Sequence, residues 1–151
     1  MKQLLIRADD LGYSYSIDLG IARTVSEGVV RSVGLMPNMP EASRGWSLVA
    51  RADIAVGQHT NLCLGKPCAD PALIPSLLGP DGCFRRSREY HAAWAAGVEP
   101  IDFDEACIEI RAQRERFVQI VGREPDYFEA HAVRSNNLYR AIHEVAGELG
   151  L

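Results

Sequence analysis

The chain reads as an α/β protein built on a parallel sheet, and three observations lead there. Short β-rich runs alternate with segments of helical periodicity, the order that winds βαβ units into a parallel sheet. The first and third of these runs, led by Leu4-Leu5-Ile6 and Ile54-Ala55-Val56, are apolar enough to be buried strands. Titratable residues collect where those runs end, and parallel α/β sheets gather function beyond the carboxyl ends of their strands.

Each element follows from local chemistry. Residues 6–12, Ile-Arg-Ala-Asp-Asp-Leu-Gly, form the first strand, which Gly12 closes. A helix over 17–27 has Ile17, Ile21, Ala22 and Val25 at helical spacing, with Ser16 or Asp18 as cap and Gly28 as stop. Residues 29–36 form the second strand, ended by Pro37-Asn38-Met39-Pro40, and 41–51 the second helix. The third strand, 54–60, leaves its apolar start for Gln58-His59-Thr60. Between 65 and 100 the rhythm breaks into Pro and Gly turns, interrupted by a short helix over 87–96. The clearest helix covers 103–121, with Asp102 or Asp104 as cap and Gly122 as stop. A fourth strand over 127–131 and a helix over 138–149 complete the order.

Composition narrows the function classes. The 151 residues are about one domain's worth, and the net charge of −4 with pI about 5.5 leaves no basic stripe for nucleic acid. No apolar run has the length of a membrane span, and no export signal is visible at the N-terminus. Cys63, Cys68, Cys83 and Cys107 lack CxxC spacing and read as reduced thiols, in keeping with a cytoplasmic protein.

The strand ends carry the chemistry. Asp9 and Asp10 follow the first strand, Met36 and Asn38 the second, His59 and Asn61 the third, and Glu129, His131 and Asn136 the fourth. Neighbouring residues of a strand face opposite ways, so the two aspartates take different tasks. Adjacent carboxylates raise one another's pKa unless a positive group sits beside them. An Asx turn at Asp9-Asp10 and strand-end histidines bonded to loop carbonyls are the structural alternatives. One carboxylate and two imidazoles with open positions suit a hydrolytic divalent metal, zinc or a harder ion such as magnesium. A second carboxylate beside it would act as general base. His91 and His143 lie on helices and read as surface residues.

Substrate candidates are Tyr13, Asn61, Lys66 and Glu129, at or near those ends. Lys66 and Arg85-Arg86-Ser87-Arg88 either line a groove or form a solvated basic loop. Trp46 and Trp94 read first as packing residues.

Three ordered stretches, Ala8-Asp9-Asp10-Leu11-Gly12, Gly57-Gln58-His59-Thr60-Asn61-Leu62 and Pro125-Asp126-Tyr127-Phe128-Glu129-Ala130-His131, resemble the YdjC-like (ChbG-type) carbohydrate deacetylases, and Glu109, Gln113, Phe117 and Gly122 match between them. The resemblance implies a distorted β/α barrel and a divalent-metal hydrolase that removes N-acetyl groups from an amino sugar, with metal-bound water as nucleophile. It implies Asp10, His59 and His131 as metal ligands and Asp9 as catalytic base. The chain departs from the pattern at Val133, where a further histidine is usual, and at Gln58 and Thr60, where aliphatic residues are commoner. It is also shorter than the family's usual length, which predicts an incomplete barrel with open edges covered by a second copy in a homo-oligomer. A catalytically silent metal-binding fragment, or a sugar isomerase using the same cluster, are the competing expectations.

Overall fold

The computed structural model describes residues 4–151. Strands β1 (Arg7–Leu11), β2 (Ser32–Leu35), β3 (Ala55–Thr60) and β4 (Phe128–Ala130) lie in that spatial order, each parallel to its neighbour. Helices α1 (Tyr15–Ser26) and α2 (Ala42–Val49) make the first two crossovers. The third runs through two 3₁₀ turns, Pro71–Leu73 and Pro75–Leu77, then α3 (Ser87–Ala95) and α4 (Phe103–Val121). Helix α5 (Asn136–Gly147) follows β4. The sheet is not closed, so β1 and β4 are its two edges, as an incomplete barrel requires.

Several elements differ from the sequence reading for physical reasons. Of β1 only Leu11 is fully buried, while the preceding Leu4 and Leu5 are 84% and 75% exposed. An edge strand has a neighbour on one side alone, and apolar character does not bury it there. Helix α1 starts at Tyr15, and Ser14 is its N-cap without a side-chain bond. Asp18 is not a cap: fully buried, it accepts the Gly12 N–H at 2.6 Å and an Arg44 N–H at 2.6 Å. That carboxylate ties the end of β1 to α1 and α2. Burial pushes its pKa up, while Gly12 and Arg44 pull it back. The close approach demands glycine at 12, where φ is +92° and a Cβ would lie 2.7 Å from the Ala42 Cα.

Helix α4 follows the expected logic. The Asp102 carboxylate accepts the Glu105 N–H at 3.0 Å, and Gly122 at φ +85° returns its N–H to the Val118 carbonyl. Helix α5 is capped by Ser135, whose hydroxyl accepts the Leu138 N–H. No described helix is long and apolar enough to cross a membrane.

The two faces of the sheet have opposite character. Ala8, Leu11, Val33, Leu35 and Val56 pack outward against Ile21 and Val25 of α1, Val49 of α2 and Phe117 of α4. A second core under α4 and α5 gathers Leu62, Ile74, Tyr90, Ile110, Leu138 and Val145. The other face carries Arg7, Ser32, His59, Tyr127 and Glu129, and it has room for them because β2 and β3 place Gly34 and Gly57 there. A Cβ on Gly57 would run into the Tyr127 ring, and one on Gly34 would lie 2.5 Å from the Glu129 carboxylate. Tyr127 is fixed by a 2.9 Å hydrogen bond from the Ser32 hydroxyl, so it has little freedom to retreat. Gly57→Ala is therefore expected to cost about 1–3 kcal/mol by overpacking, read from urea unfolding. Adding Tyr127→Leu should recover part of that loss.

Candidate metal centre

The end of β1 departs from regular strand geometry. Ala8 and Leu11 both enter the outer core although residues three apart face opposite ways on a regular strand. The pairing with β2 shifts register between them, and Asp10 adopts φ +70°, the left-handed region that Asp tolerates better than most residues. This one-residue break turns the Asp10 side chain toward the ends of β3 and β4.

There it meets two histidines. Asp10 Oδ1 lies 3.1 Å from His59 Nε2 and 3.0 Å from His131 Nδ1, and the two ring nitrogens are 2.9 Å apart. The three atoms make a nearly equilateral triangle. Asp10 Oδ1 is buried, yet it has hydrogen-bond geometry to neither imidazole. His59 is 4% exposed at the penultimate position of β3, and His131 follows β4 with its N–H on the Thr60 carbonyl. Burial, helped by the neighbouring His59, holds the His131 imidazole below its ordinary pKa against the pull of Asp10, which favours the neutral form that binds metals.

The other nitrogen of His59, Nδ1, faces Glu129 Oε1 at 3.2 Å. Arg7 ion-pairs with Glu129 and donates to Asp9 from Nε at 2.5 Å and from Nη2 at 3.1 Å. Burial works to raise the Asp9 carboxyl, but Arg7 and His59 outweigh it and hold it below the usual carboxylate range. Asp9 is half-exposed and stands outside the triangle.

The remaining sequence candidates are spread around this cluster. Tyr13 is exposed just past β1, and Lys66 is exposed on the loop after β3. Asn61 is fully buried, and its whole amide is engaged: it donates to Asn38 Oδ1 and the Leu64 carbonyl and accepts from Cys63 and Leu64 N–H groups. It shapes the loop after β3, leaving no free polar atom for a ligand. His91 and His143 are exposed on α3 and α5 and belong to neither group of ligand-type atoms. The four cysteines are free, and burial pushes Cys63 up to about 11 and Cys68 up to about 12, so neither is a thiolate nucleophile at neutral pH.

Sequence reasoning passed over Arg7. Period-two alternation alone puts it on the face of Asp9, and a strand-borne cation two residues before an acid was the available signal. It also left unexplained the pair Glu109 and Gln113 on α4. Both are fully buried: Gln113 donates to the Asn61 carbonyl and accepts its N–H, and Glu109 accepts the Cys68 and Ala69 N–H groups and Gln113 Nε2. They clamp the segment leaving His59.

Fold and cluster together define the class as a parallel α/β protein whose strand ends bring one carboxylate and two imidazoles together. Within it, the YdjC-like protein family model matches residues 3–151, and the chain belongs to that family. A carbohydrate deacetylase of Mus musculus is 35% identical over 131 residues, 85% of this chain and 41% of its own length. One of Geobacillus stearothermophilus is also 35% identical, over 86% of this chain and 49% of its own. A crystal structure from Enterococcus faecalis V583, described provisionally as a cellobiose-phosphate cleavage protein, superposes with TM-score 0.85 at 25% identity, covering 97% of this chain and 56% of that one. The chain thus spans about half the length of these relatives.

The α4 clamp is open to test. Glu109→Gln sets an amide donor against one of three N–H donors, and is expected to lower stability by about 1–3 kcal/mol, measured as the shift in urea midpoint.

Proposed function

We propose that Asp10, His59 and His131 hold one divalent ion and that the chain's site serves hydrolysis of an N-acetyl group on an amino sugar. The observation that carries this is the triangle itself. Its sides of 2.9–3.1 Å equal the spacing of adjacent ligands on an octahedral ion at about 2.1 Å, roughly 3.0 Å. A tetrahedral ion at the same bond length would need roughly 3.4 Å. The buried, unbonded Asp10 oxygen and the two imidazoles are the donor set such an ion takes, magnesium if water fills the shell or zinc by virtue of nitrogen ligands. The name carried by the mouse and Geobacillus relatives supports the sugar amide as substrate.

When bound, the ion would supply an acidified water and a Lewis acid for the amide carbonyl. The chain's own residues do the rest. Glu129 Oε1 lies 3.2 Å from His59 Nδ1, while the other ring nitrogen, Nε2, faces Asp10 and His131 and is the one left for the ion. Asp9, kept ionised beside Arg7, stands next to the triangle and takes the proton from the attacking water. Tyr13 and Lys66, both exposed at the same end of the sheet, meet the sugar. No further histidine of the described residues reaches the cluster, so protonation of the leaving amine falls to Asp9 or to a residue from outside these elements.

Acetate release from short N-acetylated chitooligosaccharides, with Mg²⁺ or Zn²⁺ added, tests this. Asp9→Asn is expected to lower the rate about 10²–10⁴-fold while bound metal, measured by atomic emission, stays unchanged. Release that survives the change, or metal lost with it, contradicts the assignment. A chain that binds metal and releases no acetate under any condition is instead a metal-binding part without turnover.

We also propose that the 151-residue chain self-associates through its sheet edges. Beside β4 lies a groove of about 590 Å³ lined by Phe128, Ala130, Tyr139, Ile142 and Ala146, and Leu4 and Leu5 stand exposed before β1. Parallel pairing of β4 with β1 of a second copy would cover both. Sedimentation at high concentration should give a dimer or larger species; a monomer throughout argues against it.

A further inference from the structure

The site contains a second group of ligand-type atoms that the triangle does not use. Asp9, Glu129 and His59 bring two carboxylates and one ring nitrogen within 4.8 Å of one another. His59 Nδ1 and Glu129 Oε1, both buried, lack a hydrogen-bond partner although they face each other at 3.2 Å. Two carboxylates and water suffice for a hard divalent cation, so by its donors this group is a cation site. It already contains one cation. The Arg7 guanidinium is bidentate on Asp9, ion-pairs with Glu129 and lies 5.8 Å from the centre of the Tyr127 ring. Gly34 leaves the space in which Glu129 reaches it.

We propose that Arg7 is a positioning residue that acts as the fixed cation of this second group: it bridges Asp9 and Glu129 and keeps a second metal ion out, so that the centre stays mononuclear. The proposal rests on reading the Asp10–His59–His131 triangle as the first metal site. Its physical basis is the planar guanidinium fork, which bonds two carboxylates at once in fixed directions. The bridge has a consequence for Asp9. With both oxygens held by Arg7, the carboxylate cannot swing onto the ion and remains available to a proton. A metal in place of Arg7 would instead coordinate Asp9 and remove it from that task. The same bridge sets Glu129 against His59, so one side chain arranges both neighbours of the triangle.

The test counts bound metal. The unaltered chain, Arg7→Met and Arg7→Lys are titrated with Mn²⁺ by calorimetry, with folding followed by circular dichroism. Arg7→Met is expected to bind one equivalent more than the unaltered chain, and Arg7→Lys, which keeps the charge, the same number. Adding Asp9→Asn to Arg7→Met should return the count to its starting value. Equal counts for Arg7→Met and the unaltered chain overturn the proposal, as does an extra equivalent that persists without the Asp9 carboxylate. If Arg7→Met fails to fold, Arg7→Gln is judged by the same difference. The absolute count of the unaltered chain answers a separate question: one equivalent agrees with the triangle as a metal site, and none sinks that reading while the difference between variants still judges Arg7.

Discussion

Three carboxylates and two imidazoles meet at the open end of this sheet, and the rest of the local structure answers to that crowding. Asp9, Asp10 and Glu129 all lie at strand ends around His59. One permanent cation, Arg7, balances two of them, Asp9 and Glu129. Asp10 is left facing two histidines without a hydrogen bond from either. A buried carboxylate oxygen in that position calls for positive charge from elsewhere, which is the physical argument behind the proposed divalent ion.

The fold assembles this arrangement from small departures from regularity. A regular β1 would point Asp10 to the outer face with Ala8; the left-handed residue and the register shift bring it round instead. Gly34 and Gly57 keep the inner face open for Glu129 and Tyr127. Asp18 and Arg44 pin the end of β1 to the first two helices, and Glu109 and Gln113 hold the segment after His59. Each of these buried polar groups is satisfied, whereas the unsatisfied ones, on Asp10, His59 and Glu129, fall at the centre, apart from Gln58 Oε1. Concentration of unmet hydrogen-bonding capacity at one place is what a ligand site looks like before its ligand is considered.

Much of this was readable from the chain. Alternating periodicities led to the parallel sheet because β and α repeats are encoded locally, and the positions of His59 and His131 followed from where apolar runs end. The Asp102 and Gly122 caps were readable for the same reason. What sequence missed was set by tertiary surroundings. Leu4 and Leu5 look like core until the strand beyond them is found to be an edge. Asp18 looks like a cap, yet its partners are Gly12, close in sequence, and Arg44, on another helix. Asn61 looks like a ligand-facing amide at a strand end, and only its four partners show it to be internal scaffolding. Arg7 went unread because its importance depends on Glu129, more than a hundred residues away.

The central claim is that one divalent ion sits against Asp10, His59 and His131. Anomalous diffraction from a crystal grown with Mn²⁺ tests it most directly. A single peak about 2.0–2.3 Å from Asp10 Oδ1, His59 Nε2 and His131 Nδ1 is the expected result. A peak seated between Asp9 and Glu129, or no peak at the triangle, would contradict the account.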